Sequence, residues 1–232
     1  MTNRVLTVSR IHTVAWPLLV AWPLGVLVGS FTIGAAIFAM VGDTGSDINF
    51  SGGVFSLFGF ALAFYLQAMT QTFPFALGMS VTRRDYFAAT LLVAAVQVLV
   101  FGVLLYCLSL IEVATGGWGV GMRMFAIPDY FTSAPVIQLA TYFAFLSLTA
   151  AAGLFLGALH HRWRVVGLFT LGVGTLLAAG AAAFVITWQK WWPDIGHWFA
   201  DVPRSVPMVW LPALAAAAGI LAAWTVVRRA TA

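Results

Sequence analysis

Residues 86–111 read YFAATLLVAAVQVLVFGVLLYCLSLI and include no charged side chain. About 20 apolar residues in a helix are enough to cross the hydrocarbon core of a bilayer. In lipid, a lone segment satisfies its backbone hydrogen bonds only as a helix. Five further uncharged stretches reach this length: 14–41, 53–73, 135–159, 165–187 and 207–227. The sequence therefore predicts an all-α, polytopic membrane protein with six transmembrane helices in a single domain over residues 1–232.

The overall composition agrees with a membrane protein. The chain of 232 residues is 62% hydrophobic and 8% charged, whereas soluble domains contain about 25% charged residues. Six spans leave room for short loops but not for a separate soluble domain. The net charge of +4 would suggest nucleic acid as a partner of a soluble protein. Here the basic residues are better explained as topology signals in a lipid bilayer, so we expect no nucleic-acid partner.

The basic residues gather on one side of the predicted membrane. That side holds most of the 11 Lys and Arg residues, namely Arg4, Arg10, Arg83, Arg84, Arg162, Arg164, Arg228 and Arg229. The other side holds Arg123, Lys190 and Arg204, together with every acidic residue except Asp85. By the positive-inside rule, this asymmetry predicts a multi-pass protein of the plasma (inner) membrane with both termini in the cytoplasm.

Three segments outside the spans have a character of their own. Residues 1–13 are predicted to form a short interfacial helix or, alternatively, a frayed tail. The glycine-rich loop 112–134 favours turns. Residues 188–206 contain four tryptophans, which concentrate at membrane–water interfaces. This last segment indicates either an interfacial belt or a short re-entrant or surface helix that caps a translocation path.

The sequence argues against chemistry by this chain alone. No Cys or His residues have the spacing of metal ligands. The predicted spans contain no ionisable residue of the kind that marks proton or ion coupling. A phosphate-binding P-loop requires Gly-Lys-Ser or Gly-Lys-Thr, but the single lysine, Lys190, follows Gln189. We therefore expect no catalytic residues, no metal and no cofactor in this chain, which is not predicted to be an enzyme.

The most informative polar segment lies between the second and third spans, on the arginine-rich side. Pro74 is predicted to end the second span, and Gly78 to permit a sharp change of direction. Thr82 and Asp85 have the spacing of a capping box that would start the third span. Residues 74–82 leave room for about two turns of surface helix. The alternative interpretation is an ordinary tight loop with topology-determining arginines.

This segment, Leu77-Gly78-Met79-Ser80-Val81-Thr82-Arg83-Arg84-Asp85-Tyr86-Phe87, resembles the cytoplasmic segment of type-2 ABC transporter permeases. In that family a pattern of leucine-glycine-x-serine-x-x-arginine joins the second and third of six spans. It forms a short coupling helix that docks onto an ATPase subunit. The resemblance implies an ATPase contact through Gly78, Ser80, Thr82, Arg83, Arg84, Asp85 and Tyr86.

The resemblance also implies partners and an energy source. A permease of this family works with a second copy of itself or a sister permease and with two separate ATPase subunits, which hold ATP and Mg. The expected function is the membrane-spanning subunit of an ATP-driven ABC exporter. The alternatives are a six-span substrate-binding module of the vitamin-capture type and an intramembrane enzyme.

Several polar residues and glycines inside the spans need an explanation. An unpaired amide in hydrocarbon costs a few kcal/mol, so these side chains should face other helices or line a substrate path. The residues concerned are Gln67, Thr70, Gln71, Gln97, Gln138, Thr141 and Tyr142. The pairs Gly25/Gly29 and Gly153/Gly157 have the spacing that lets two helices approach closely, although such spacings also arise by chance among 22 glycines.

Overall fold

The computed structural model describes residues 8–9, 17–41 and 49–229, except for the side chain of Leu18. Its helices within these ranges are α1 (Trp22–Val41, after a π-helical turn at Pro17–Ala21), α2 (Gly52–Gly78), α3 (Arg83–Ala114), α4 (Pro135–Trp188), α5 (Trp192–Asp201) and α6 (Val206–Arg229). Of these described helices, α1, α2, α3, α4 and α6 are long and apolar enough to cross a membrane. The chain is therefore a helical protein with the composition of a membrane protein.

Helix α4 combines two of the predicted apolar stretches. Its 54 residues would extend about 80 Å as a straight helix, far more than the ~30 Å of a hydrocarbon core. The helical backbone is interrupted at Arg164, where φ is 55° and ψ is −147°. Thr141, near the start of α4, and Phe199, beyond its end, line the same groove. The two halves, residues 135–163 and 165–188, therefore run antiparallel and are joined by a bend rather than by the predicted loop.

The first half of α4 forms the centre of the bundle. Helix α4 contacts α2, α3 and α6, and its buried residues lie between Gln138 and Leu159. The second half is different, because residues 165–188 are exposed or only partly buried. The first half of α4 thus packs against the other helices. The second half has an apolar surface that the rest of the described chain leaves largely exposed.

One of the two glycine pairs permits a close helix contact. A Cβ atom on Gly153 would lie 2.6 Å from the carbonyl oxygen of Leu62, and one on Gly157 would lie 2.7 Å from the Cβ of Met69. These two glycines therefore allow α4 to approach the backbone of α2. The other pair, Gly25 and Gly29, has open space around it. Gly153 and Gly157 thus have a packing role, whereas Gly25 and Gly29 contact no other part of the described chain.

Two apolar clusters fill the bundle, one towards each end. The first includes Tyr65, Phe73, Tyr86 and Leu154 and lies towards the ends of the helices that hold Arg83, Arg164 and Arg228. We call this the arginine-rich end. The second includes Met122, Met124, Phe125, Leu27 and Leu105, and so contains residues of the long loop between α3 and α4. We call this the loop end. Buried side chains from that loop close the loop end of the bundle.

Several predicted boundaries differ from the structure. Pro74 does not end α2, which continues to Gly78 because a π-helical turn at Ala68–Thr72 shifts the hydrogen-bond register just before the proline. The turn that follows is short, so the surface helix predicted after Pro74 is instead the last helical turns of α2, Phe73–Gly78. The surface helix considered for residues 188–206 is present as α5. Of the interfacial helix considered for residues 1–13, all but residues 8–9, which are helical, lies outside the described residues.

We predict that Gly157→Ala destabilises the protein by about 1–3 kcal/mol, because the added methyl group forces α2 and α4 apart. Thermal unfolding in detergent measures this effect. Gly25→Ala is the matched control, since a Cβ there meets no atom within 4 Å. It should leave stability unchanged or slightly higher. Equal melting temperatures for the two variants would contradict the proposed close contact.

Candidate functional site

The turn between α2 and α3 is built by a left-handed residue. The backbone N–H of Ser80 donates to Leu77 at 3.0 Å and that of Val81 donates to Ala76 at 3.1 Å. This pair of bonds is the Schellman arrangement that ends many helices. Its left-handed position, usually glycine, is here Ser80, with φ 61°. The predicted role of Gly78 as the point of turning is therefore wrong, since Ser80 makes the turn.

The start of α3 is capped as the sequence predicts. Thr82 precedes the helix, and its side-chain oxygen accepts a hydrogen bond from the backbone N–H of Asp85 at 3.1 Å. Tyr86, one residue further, is fully buried and donates its hydroxyl to the carbonyl oxygen of Ala68 at 2.7 Å. Tyr86 therefore joins α3 to α2 inside the bundle. Its side chain is not exposed to a partner.

The tip of this turn exposes apolar and cationic side chains together. Phe75 and Met79 are 63% and 60% exposed, and Arg84, at the start of α3 after the turn, is also exposed. Arg83 is half-buried and donates from Nη1 to the carbonyl oxygen of Arg228, at the end of α6, over 3.4 Å. Arg83 thus holds the turn against the rest of the bundle, while Phe75, Met79 and Arg84 form its free surface. We call these three residues the exposed tip.

His161, at the bend of α4, packs beneath the turn. Its ring meets that of Phe73 edge to face, with the centroids 5.1 Å apart. Burial lowers the pKa of His161, and the positive charges of Arg164, Arg83 and His160 lower it further. The bend of α4 and the start of α3 therefore meet at the arginine-rich end, where several basic groups lie close together.

Glu112 bonds to the long loop at the loop end of the bundle. This side chain is fully buried in the last turns of α3 and accepts four hydrogen bonds. Three come from the backbone N–H groups of Met124, Phe125 and Ala126, each at 2.9 Å. The fourth comes from the indole Nε1 of Trp118 at 3.0 Å. The carboxylate therefore pins the loop into the loop end of the bundle.

Two candidate path residues of α4 also bond to this loop. Tyr142 donates its hydroxyl to the carbonyl oxygen of Phe125 at 2.6 Å. Gln138 donates from Nε2 to the carbonyl oxygen of Thr132 at 2.7 Å and to Asp129 at 3.2 Å. Both side chains are buried. In this structure they hold the loop in place.

Gln97, a third candidate path residue, joins three helices inside the bundle. Pro23 has no N–H to offer the carbonyl oxygen of Leu19, four residues earlier. Gln97 donates from Nε2 to that oxygen at 3.0 Å, and its own Oε1 accepts from the hydroxyl of Tyr65. The amide therefore satisfies a backbone group that the proline leaves without its helical partner. This arrangement is the interhelical bonding that the sequence left open as one of two roles.

The remaining candidate path residues lie on α2. Gln67 and Gln71 are exposed and bond to each other, with Nε2 of Gln67 3.0 Å from Oε1 of Gln71. Thr70 is half-buried and donates to the carbonyl oxygen of Leu66 at 3.0 Å. The two glutamines therefore form a polar strip on an otherwise apolar outer surface. Of the polar residues predicted to lie inside the spans, these two glutamines are exposed, whereas Gln97, Gln138, Thr141 and Tyr142 are buried.

The arrangement shows no sign of metal chemistry. Within residues 8–9, 17–41 and 49–229, no group of three or more His, Cys, Asp and Glu side chains is placed to hold a metal ion. Cys107 is exposed on α3. The described contacts are structural: the turn between α2 and α3 is bonded to the bundle at one end, the loop is bonded to Glu112 at the other, and Gln97 joins helices between them.

Comparison with known proteins gives no match: no family model, no curated protein and no solved structure is similar to this chain. The resemblance of the segment between α2 and α3 to ABC permeases therefore depends on its own residues and their geometry.

Glu112 is the important residue that sequence reasoning missed. The charge pattern groups it only with the acids on the side opposite the arginines, although it is a lone carboxylate at the end of an apolar stretch, just before a glycine-rich loop. We predict that Glu112→Gln destabilises the protein, because the amide NH2 cannot accept the bonds that carboxylate oxygens accept. Each unsatisfied buried donor costs about 1–3 kcal/mol.

The test of Glu112→Gln is thermal unfolding in detergent beside the exposed control Asp194→Asn. The control should differ from wild type by less than about 0.5 kcal/mol. If both variants melt together with wild type, Glu112 does not pin the loop.

We also predict that Gln97→Leu costs about 1–3 kcal/mol, since it leaves the Leu19 carbonyl and the Tyr65 hydroxyl without their partner. Gln71→Leu, which changes an exposed amide, is the matched control and should have little effect on unfolding. A larger loss for Gln71→Leu than for Gln97→Leu would contradict the structural role of Gln97.

Proposed function

We propose that this chain is the membrane-spanning permease subunit of an ATP-driven ABC exporter, energised by a separate ATPase subunit that binds ATP and Mg. The observation that supports this function best is the exposed tip. Two exposed apolar side chains and an exposed arginine, around a turn that Tyr86, His161 and Arg83 contact from the rest of the bundle, have the composition of a protein-docking site. Two of its residues, Met79 and Arg84, lie within the segment that resembles the ABC coupling segment, and Phe75 lies two residues before it.

The proposed topology has six spans. The two halves of α4 supply two of them, and α1, α2, α3 and α6 supply the others. The arginine-rich end is placed in the cytoplasm of the plasma (inner) membrane with both termini, because most basic residues lie there. In this orientation the exposed tip faces the cytoplasmic ATPase, and the pinned loop closes the external end.

The proposed permease works as a pair. Residues 165–188 are apolar and largely uncovered, and the glycine pair 25–29 of α1 faces open space. Small residues on a membrane helix allow close packing by another helix. These surfaces suit a second copy of the chain or a sister permease. The strip of Gln67 and Gln71 would then line a polar path between the two subunits.

The proposed mechanism follows from the connections between the two ends. Closure of the ATPase on bound ATP presses on the exposed tip and therefore on the start of α3. The other end of α3 contains Glu112, which holds the external loop. A shift of α3 along its axis would thus act on the loop and open the external end. The energy comes from the partner, and this chain transmits it.

We predict that the double variant Met79→Ala/Arg84→Ala inserts normally but loses its ATPase. Truncating central interface residues typically costs about 2 kcal/mol or more, which corresponds to at least a tenfold weaker complex. The measurement is affinity purification in mild detergent, with quantification of any copurified P-loop ATPase and of ATP hydrolysis. A capture module of the vitamin type would differ in stoichiometry, because the exporter requires two permeases for two ATPases.

The matched control is Met40→Ala. Met40 is 80% exposed but lies at the end of α1, far along the chain from the exposed tip. This variant should retain the ATPase like wild type. If the double variant retains an active ATPase and transports normally, the segment between α2 and α3 is an ordinary loop and the exporter proposal fails.

A further inference from the structure

A second candidate site lies at the loop end, separate from the exposed tip. It is a groove of about 410 Å³ between the first half of α4, the loop that precedes it and the segment that joins α5 to α6. Ligand sites in proteins typically have volumes of about 300–1,000 Å³. The walls are apolar, with Phe131, Phe145, Phe199 and Met208 among them. The groove is therefore large enough for part of a small amphiphile.

The position of the groove places it at the membrane surface. Phe145 lies about three turns into α4 from Pro135, so one end of the groove reaches towards the hydrocarbon. The other end lies beside α5, whose Trp198 is 47% exposed, and beside Trp210, which is 60% exposed. Exposed tryptophans concentrate at the level of the lipid headgroups. The groove thus extends from the headgroup region into the apolar region.

One cation lines the groove. Arg204 is exposed and donates from Nη1 to the carbonyl oxygen of Phe199 at 3.0 Å, which orients its guanidinium towards α5. A guanidinium has five N–H donors, so the others are available to a ligand. Among the described residues, no carboxylate forms an ion pair with Arg204. The N-terminus of α6, at Val206, adds further positive potential.

Carboxylates at the same end could offset the charge of Arg204 if they lay close to it. Asp129 accepts a hydrogen bond from Gln138, and Glu112 is fully buried and accepts four hydrogen bonds from the loop. Asp194 and Asp201 belong to α5 and are exposed to solvent, where water and salt screen their charges. The positive charge of the guanidinium is therefore not offset by a paired carboxylate at the polar end of the apolar groove.

We propose that this groove binds an anionic phospholipid, with its phosphate on Arg204 and one acyl chain along Phe131, Phe145 and Met208. Charge complementarity favours this ligand, because guanidinium and phosphate form paired, charge-assisted hydrogen bonds. The apolar walls favour a chain rather than a free ion. This site does not depend on the exporter function proposed above.

Native mass spectrometry of the full chain in detergent tests the proposal with defined lipids. Dioleoyl phosphatidylglycerol should be retained about tenfold better than dioleoyl phosphatidylcholine, because both carry a phosphate but the quaternary ammonium of choline cancels the net negative charge that Arg204 attracts. Arg204→Gln should remove this preference, and Arg204→Lys should keep part of it. Dibutyryl phosphatidylglycerol, which has the same headgroup but short chains, should bind much more weakly.

Arg123→Gln is the matched control. Arg123 lies at the same end but is positioned over the ring of Tyr130, 5.8 Å from its centroid, so its loss should leave the lipid preference intact. Three results would overturn the proposal: an unchanged preference in Arg204→Gln, an equal loss in both variants, or equal binding of the short-chain lipid. A change of the dimer fraction in Arg204→Gln without a change of lipid adducts would assign the groove to a second copy instead.

Discussion

The hydrogen-bonding capacity of the backbone constrains this structure more than any other factor, because the hydrocarbon of a bilayer offers no water to an unpaired group. At two places, a polar side chain from another element bonds to backbone groups that have no partner within a helix. Pro23 leaves the Leu19 carbonyl without a helical donor, and Gln97 of α3 donates to it. At the end of α3, Glu112 accepts from three successive N–H groups of the loop.

These compensating bonds also connect the two ends of the bundle. Helix α3 begins with the Thr82 cap and the buried Tyr86, passes Gln97 in its middle and ends at Glu112. Tyr86 bonds to α2, Gln97 bonds to α2 and to the turn before α1, and Glu112 bonds to the loop. One rigid helix is therefore attached at the exposed tip, at the centre and at the closed loop. In the proposed exporter, this helix is the natural element to transmit a movement from one end to the other.

The surface of the chain is as informative as its interior. The first half of α4 is packed on several sides, whereas residues 165–188 are largely uncovered although they are equally apolar. The amides of Gln67 and Gln71 bond only to each other on the outside of α2. A bundle that placed all its polar groups inside would not need further partners. This uneven distribution is what supports a permease pair in the proposed function.

Much of this architecture is predictable from the sequence, because it depends on local composition. The apolar stretches follow from the length that lipid requires, the grouping of arginines from the positive-inside rule, and the cap at Thr82 from its spacing to Asp85. The role of Gly153 and Gly157 could be named but not distinguished from that of Gly25 and Gly29. The same spacing occurs in both pairs. Only the position of α2 beside α4 decides that the pair 153–157 packs against another helix and the pair 25–29 does not.

The sequence by itself thus determined the helical class, the apolar segments and the two chemically different ends. Only the tertiary structure decided that Ser80 rather than Gly78 makes the turn, that α4 bends at Arg164, and that Glu112 is a buried anchor. The physical reason is that hydrophobicity and charge act on each segment separately, whereas a hydrogen bond requires a partner at about 3 Å. The partners of Glu112 are 12 to 14 residues away in the loop, apart from Trp118. No local pattern specifies how that loop folds back onto the helix.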